Sequence, residues 1–400
     1  MQVGGTREGN AVTILSYGLI VMTVTHVLTH AFGGIHTAIF SVLRDEFRLT
    51  LQQLGVLAAV PPLCQALFAI PTGVLADRIG AKKMIVLSFT IATLGAFLAS
   101  QATSPLMFIS AICLVYVNTT VYHPASYSYT TKLFTPKDLP KAIGIHGAGG
   151  TLGHALGPLV VSVLIGVLAF DWRQVYFVLA WPMIMGIVMT VFVKNEEVDE
   201  GDAADAVVQP DARDLRRLLT PSLVMFLVFS GIRMMAGSMI STFSVLYLQD
   251  VKLLSIADAS LVASSRTLFG IVAAPLGGYM AAKFGEKRWL LHILALSYLL
   301  LSLSLIVPSV MGFILLFIAS GFCNTLVMAA RSSIMARLSP KQHRGLGYAL
   351  YFLPGSVMGA VAPVLAGVVA SSFGFDAIFY MSIGISVLGL IILKVYVNVE

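Results

Sequence analysis

A charged loop bounded by glycines occurs twice in this chain, 205 residues apart. The first copy reads Gly73-Val-Leu-Ala-Asp77-Arg78-Ile-Gly80-Ala-Lys82-Lys83. The second reads Gly278-Tyr-Met-Ala-Ala282-Lys283-Phe-Gly285-Glu-Lys287-Arg288. Each copy sits between two long apolar stretches. A tight polar turn that returns at half the chain length restricts the fold to two copies of one unit. Other pairs keep the same offset: Asp45 with Asp250, Thr50 with Ser255, and Pro158 with Pro363.

The stretches around these loops are built for lipid. Of 400 residues, 58% are hydrophobic and 11% charged, against about 25% charged in a soluble domain. A bilayer-spanning helix needs roughly 20 apolar residues. Runs of that kind, bounded by charges, Pro and Gly, predict twelve spans over 11–41, 51–76, 83–103, 105–131, 140–168, 173–194, 221–249, 254–282, 287–307, 309–335, 342–372 and 374–396. The expected fold is an all-α integral membrane protein of two pseudo-symmetric six-helix bundles, 1–194 and 218–400. The acidic stretch 195–217 reads as a flexible linker between them. Parallel repeats related by an axis along the membrane normal place a substrate path at their interface.

Basic residues set the orientation. With the N-terminus inside, 18 of the 25 Lys and Arg fall in inside segments and four outside: Arg44, Arg48, Arg173 and Lys252. The opposite orientation inverts that ratio. Both termini are therefore expected in the cytoplasm, with the protein in the inner membrane as a monomer. The net charge of +6 is spread over short loops rather than gathered on one face, which argues against nucleic-acid binding. Cys64, Cys113 and Cys323 lie in apolar runs and read as packing residues. The first span carries polar groups and no small-residue cleavage site, so it reads as a retained helix.

The remaining three arginines lie inside spans: Arg233 in span 7, Arg266 in span 8 and Arg331 in span 10. No Asp or Glu falls mid-span. An ionisable group at that depth faces the bundle interior or a water-filled cavity. Without a protein carboxylate, an anion from the cavity is the natural partner. The planar fork of Arg suits carboxylate and phosphate. The histidines His26, His30, His123 and His154 lie in spans 1, 4 and 5, and His26 and His30 share one helix face. They are the groups at depth that change charge near neutral pH, which makes them proton-coupling candidates. Asn118, Tyr122, Tyr127 and Asn324 read as hydrogen-bond partners for the same substrate. A metal site from His26, His30 and His123 has only the i,i+4 spacing behind it, so no metal is assigned. No catalytic motif or cofactor fingerprint is present, and the chain reads as a non-enzyme without a cofactor.

The first charged loop resembles the signature loop between helices 2 and 3 of the major facilitator superfamily, G-x-L-a-D-R-x-G-r-k. That resemblance covers the whole chain. It implies a transporter working by alternating access, with Asp77 and Arg78 as a gate against a helix end of the other half. In the second copy Ala282 replaces the acid, so the lock belongs to the first half. Gly73 implies close approach and Gly80 the turn. Gly153-x-x-x-Gly157-Pro158 resembles the front of the antiporter motif of helix 5, although Val161 and Ser162 replace its trailing glycines. These glycines, with Gly355, Gly359 and Pro363, are expected to be rocking contacts between the halves. Tyr122-His123-Pro124 and Phe40-Ser-Val-Leu-Arg-Asp-Glu-Phe47 look like the fosmidomycin-resistance branch, which exports an anionic phosphonate.

The sequence therefore predicts a secondary active transporter of a small organic anion, of carboxylate, phosphate or phosphonate type, working as proton-coupled efflux. The alternatives are an anion importer or exchanger and a metal or metal-chelate transporter.

Overall fold

Helix starts fall where a short polar side chain can satisfy the first free amides. Ser16, Ser104, Thr220, Ser255 and Ser309 each accept from the backbone N–H three residues on. Asp171 forms a capping box with Gln174. In this computed structural model, which describes residues 16–135, 138–194, 219–338 and 344–399, the helices follow in order. The first half holds α1 (Tyr17–Gly33), α2 (Ile35–Ala38), α3 (Phe40–Phe47), α4 (Leu51–Ile79), α5 (Ala81–Ser100), α6 (Pro105–Leu133), α7 (Leu139–Val161, continued by a π-helical segment Ser162–Val167) and α8 (Trp172–Val191). The second half holds α9 (Pro221–Asp250), α10 (Ile256–Leu268), α11 (Gly270–Phe284), α12 (Glu286–Ile306), α13 (Val310–Leu326), α14 (Met328–Leu338), α15 (Arg344–Phe373) and α16 (Phe375–Tyr396).

Among the described residues, eleven helical stretches are long and apolar enough to span a bilayer, and α15 adds the apolar helix Val357–Phe373. The twelve-span, two-bundle layout follows. Both ends of the described chain, at residues 16 and 399, lie at one end of the bundle, called here the terminal end; the other is the distal end. Gly80 and Gly285, at φ of +83° and +87°, make the α4–α5 and α11–α12 turns that the repeated loop predicts. The 195–217 linker lies outside the described residues, and Gly73, Asp77 and Arg78 are described by their helical backbone alone.

Three predicted spans are broken into shorter helices. In span 1, the Gly33 carbonyl accepts from His36 Nδ1 at 3.0 Å and Tyr116 Oη at 3.4 Å. In span 10, the Leu326 carbonyl accepts from the Trp289 indole at 3.1 Å. Side-chain donors at these carbonyls are local causes of a kink. Span 8 breaks between Leu268 and Gly270.

The halves meet at the distal end. Gly55 of α4 lies against the Pro363 carbonyl of α15, so close that a Cβ there would come within 2.5 Å of its oxygen. A Cβ at Gly367 would come within 2.6 Å of the Leu51 oxygen. Ser264 of α10 donates to the Ala155 carbonyl of α7 at 2.7 Å. Arg44, just outside the first span, donates through both terminal nitrogens to Asp250 at the end of α9. That ion pair holds the Arg44 guanidinium above its ordinary pKa, chiefly through the Asp250 hydrogen bond.

One glycine expectation is corrected. Gly153 and Gly157 do not join the two halves. They pack α7 on α1 within the first half, together with Gly149. A Cβ would come 2.7 Å from the Thr23 oxygen at Gly149, and 2.8 Å from the Ala31 oxygen at Gly157. In α15, Gly355 faces Met234 of its own half, and Gly359 has open space. The cross-half role falls to Gly55, Pro363 and Gly367. A motif of small residues shows that two backbones touch; it does not name the second backbone.

Candidate functional site

A cavity of about 770 Å³ lies between the halves. Its first-half wall carries His30, His36, His123 and His154, with Gln65 and Tyr116; its second-half wall carries Arg233, Arg266, Arg331 and Asn324. No Asp or Glu lines it among the described residues. The sequence expectation of arginines at depth without an acid is thus realised at one place.

Each arginine is held by neutral groups. Arg233 donates from Nη2 to the Asn324 oxygen at 3.2 Å, and Asn324 in turn donates to Ser297 Oγ at 2.7 Å. Arg266 lays its guanidinium over the Phe317 ring at 4.3 Å. Its stem runs beside Gly321, where any Cβ would overlap it. Arg331 donates to the Tyr351 hydroxyl. In all three the Nε is buried without a hydrogen-bond partner. A buried donor left unmade is costly, more so on a charged group, and a cavity anion would supply the acceptor.

The opposite wall is built of imidazoles. His26 and His30 come from α1, and His123 reaches them from α6. Their Nε2 atoms form a near-equilateral triangle: 3.1 Å from His26 to His30, 3.1 Å from His30 to His123 and 3.2 Å from His26 to His123. His26 Nδ1 donates to the His146 carbonyl at 2.7 Å, and His123 Nδ1 donates to the Thr119 carbonyl at 2.8 Å. A carbonyl oxygen only accepts, so both rings carry a proton on Nδ1. In the neutral form each then turns a lone pair on Nε2 toward the centre of the triangle. His146 stacks on His26 at 4.2 Å between centroids, and His154 packs on His30 at 4.1 Å. Gly150 of α7 makes the room: a Cβ there would stand 2.7 Å from His26 Cε1 and 2.8 Å from its Nε2.

The predicted hydrogen-bond partners divide. Asn324 lines the cavity. Asn118, Tyr122 and Tyr127 do not. Tyr122 is fully buried, tied to α1 by Thr25 Oγ1 at 2.8 Å and by its donation to the Met22 carbonyl at 2.7 Å. Asn118 is buried with its side-chain nitrogen unpartnered. Tyr127 stands edge-on to His146 at 5.0 Å. These residues lie on α6, as expected, but the part of that helix facing the cavity is marked by Tyr116, Thr119 and His123. His26 sits behind His30 and His123, and Pro158 reaches the cavity while Gly157 does not. Sequence reasoning missed His36, Gln65, Phe317, Gly321 and Tyr351. Of these, Gly321 left a trace, as one of the small residues in an otherwise bulky span.

The Major Facilitator Superfamily matches residues 22–257 and 232–400. A fosmidomycin resistance protein of Escherichia coli (strain K12) is 23% identical over 97% of this chain and 95% of its own length. A hexuronate transporter of Bacillus subtilis (strain 168) is 25% identical, covering 86% of each chain. Among solved structures, a bacterial homolog to human lysosomal transporter Spinster, in inward-facing and occupied conformation, superposes with a TM-score of 0.82 at 16% identity. That match covers 95% of this chain and 96% of the other.

Proposed function

This chain belongs to the Major Facilitator Superfamily, and on that premise we propose that it exports a small organic anion, of carboxylate, phosphate or phosphonate type, in exchange for protons. Family and fold make it a multi-pass membrane protein and a secondary transporter of the alternating-access kind, not an enzyme. The observation that carries the anion reading is the set of three guanidinium groups on one cavity, with no carboxylate in its wall among the described residues. On the lenient insertion scale, an arginine at bilayer depth costs about 2.5–3.5 kcal/mol. A bound anion accepting from Arg233, Arg266 and Arg331 would offset part of that. The volume falls in the range of small-molecule sites, roughly 300–1,000 Å³.

Outward direction is supported by the full-length similarity to a resistance protein. An anionic cargo is supported by the similarity to a hexuronate carrier. Proton coupling is supported by the imidazoles of His30, His123 and His154 on the same cavity, with His26 behind them. Cytoplasmic termini in a bacterial inner membrane, a 195–217 linker between halves and an Asp77–Arg78 gate complete the proposal.

Counterflow in proteoliposomes under an imposed pH gradient tests it. An inward proton gradient is expected to drive anion release, and Arg233→Ala and Arg266→Ala to abolish it. Anion exchange indifferent to the gradient would sink the proton coupling. Undiminished binding and flux in both variants would sink the anion site.

A further inference from the structure

The triangle of Nε2 atoms has more chemistry than proton carriage requires. Three pairwise contacts of 3.1–3.2 Å cannot all be hydrogen bonds, because a neutral ring offers either one Nε2–H or one lone pair. The Nδ1–H bonds of His26 and His123 leave two lone pairs facing each other. A proton on His30 Nε2 can bond one of them well and leaves the other opposite it unserved. A metal ion on the axis of the triangle serves all three at once.

The dimensions fit. At a tetrahedral centre with metal–nitrogen bonds of about 2.0–2.1 Å, neighbouring nitrogens stand about 3.3 Å apart. The support around the ligands is also of the right kind. Imidazoles that bind a metal through one nitrogen commonly donate the other N–H to a carbonyl, which fixes tautomer and ring orientation. His26 and His123 do so through His146 and Thr119. His30 and His123 line the cavity, so the open side of the triangle is reached from it. Ligands from nitrogen alone favour zinc, nickel, copper or cobalt over calcium or magnesium.

The opposite wall states what the rest of the cargo carries. A bare divalent cation would meet Arg233, Arg266 and Arg331 at like charge. A metal held by a small polycarboxylate would present its open coordination positions to the imidazoles and its carboxylates to the guanidiniums. We therefore propose that His26, His30 and His123 form a three-nitrogen transition-metal site and that the cargo is an anionic chelate of a divalent transition metal. The chelate half rests on the anion reading above; the metal site stands without it. A metal-bound nitrogen carries no proton, so loading the chelate and loading protons exclude each other at this site.

The test uses full-length protein in detergent, freed of any polyhistidine tag. Cobalt(II) alone is the first probe. One ion per chain with the visible spectrum of four-coordinate cobalt is expected. His30→Gln and His123→Gln should weaken it about tenfold or more, and Arg233→Ala should not. Gly150→Ala, which crowds the rings without removing a ligand, should weaken it as well. Nickel(II) citrate, a chelate of net charge −1, is the second probe. Citrate binds the metal through three oxygens, which leaves three positions for imidazole and a free carboxylate for the guanidiniums, and the chelate should bind about tenfold or more tighter than citrate alone. Cobalt that does not bind, that gives a six-coordinate spectrum, or that is unmoved in both His→Gln variants overturns the metal site. A chelate that binds no tighter than its free ligand overturns the cargo assignment. Failure of the anion reading shows separately, as metal-free dicarboxylate binding unaffected by Arg233→Ala and Arg266→Ala.

Discussion

The two halves share one architecture and carry opposite chemistry. In the 205-residue register, His30 corresponds to Met235 and His123 to Met328, while Arg233 corresponds to Leu28 and Arg331 to Ser126. The turns are conserved between copies, with Gly80 and Gly285 in nearly the same backbone conformation. The polar residues facing the cavity are not: imidazoles stand on the first-half wall and guanidiniums on the second. Helix packing differs too. Gly149, Gly153 and Gly157 bring α7 onto α1 almost backbone to backbone, whereas Gly355 and Gly359 of α15 have looser surroundings or none. The repeat thus supplies a scaffold whose two copies must match to rock against each other. The cavity wall is free of that constraint, and there the copies diverge into two complementary binding faces.

Removing charge from the second-half wall should have the largest effect. Arg233→Ala or Arg266→Ala deletes a charged hydrogen-bond donor worth about 1.5–3 kcal/mol. Anion affinity, measured by isothermal titration, should fall about tenfold to a hundredfold. A glycine comparison between halves comes next. Gly149→Ala puts a Cβ 2.7 Å from the Thr23 oxygen, while Gly384 of α16 has nothing within 4 Å of an added Cβ. Overpacking at Gly149 should cost about 1–3 kcal/mol and lower the unfolding temperature in detergent; Gly384→Ala should not. Equal effects would break the contrast in packing.

The seam between halves should respond more weakly. Asp250→Asn removes the cross-half partner of Arg44. Both side chains are about a quarter exposed, so the loss is about 1 kcal/mol or less, a shift of up to about fivefold toward the distally open state. Distances between spin labels at Arg48→Cys and Leu253→Cys, in a background without the three native cysteines, would read it. No shift would mean that the α4–α15 and α7–α10 contacts hold the seam without that ion pair.

The smallest effect belongs to the rim of the first half. There Glu46 accepts from the Trp172 indole at 2.6 Å and pairs with Arg173. Arg173 first, and Trp172 with it, holds the Glu46 carboxyl below its ordinary value of 4.5. A depressed folded-state pKa stabilises fully above the unfolded value, and the stabilisation is lost as pH falls through the depressed value. Glu46→Gln should therefore lower thermal stability slightly near neutral pH, by less than about 1 kcal/mol for so exposed a pair. The difference should vanish in strong acid. A difference that grew with acid would reverse this assignment.

Much of the fold was legible because hydrophobicity and turn chemistry are local. The twelve apolar runs and the Gly80 and Gly285 turns each depend on a few adjacent residues. The second-half wall was legible for a related reason. Arg233, Arg266 and Arg331 had no acid within any span, so wherever they met they would meet without one. Tyr122 and Asn118 were misread because periodicity tells which residues share a helix face and not which way that face turns. Gly153 and Gly157 were assigned the wrong neighbour for the same reason.

By itself, then, the sequence determined a duplicated twelve-span membrane bundle and a cavity rich in buried positive charge, because length, polarity and glycine spacing act along the chain. Tertiary structure alone decided that three histidines, two on one helix and one 93 residues further on, aim their nitrogens at a single point. It also decided that Gly150 opens the space for them. Convergence of that kind depends on the rotation and approach of separate helices, fixed by the packing of α1 against α6 and α7 rather than by any local run of residues.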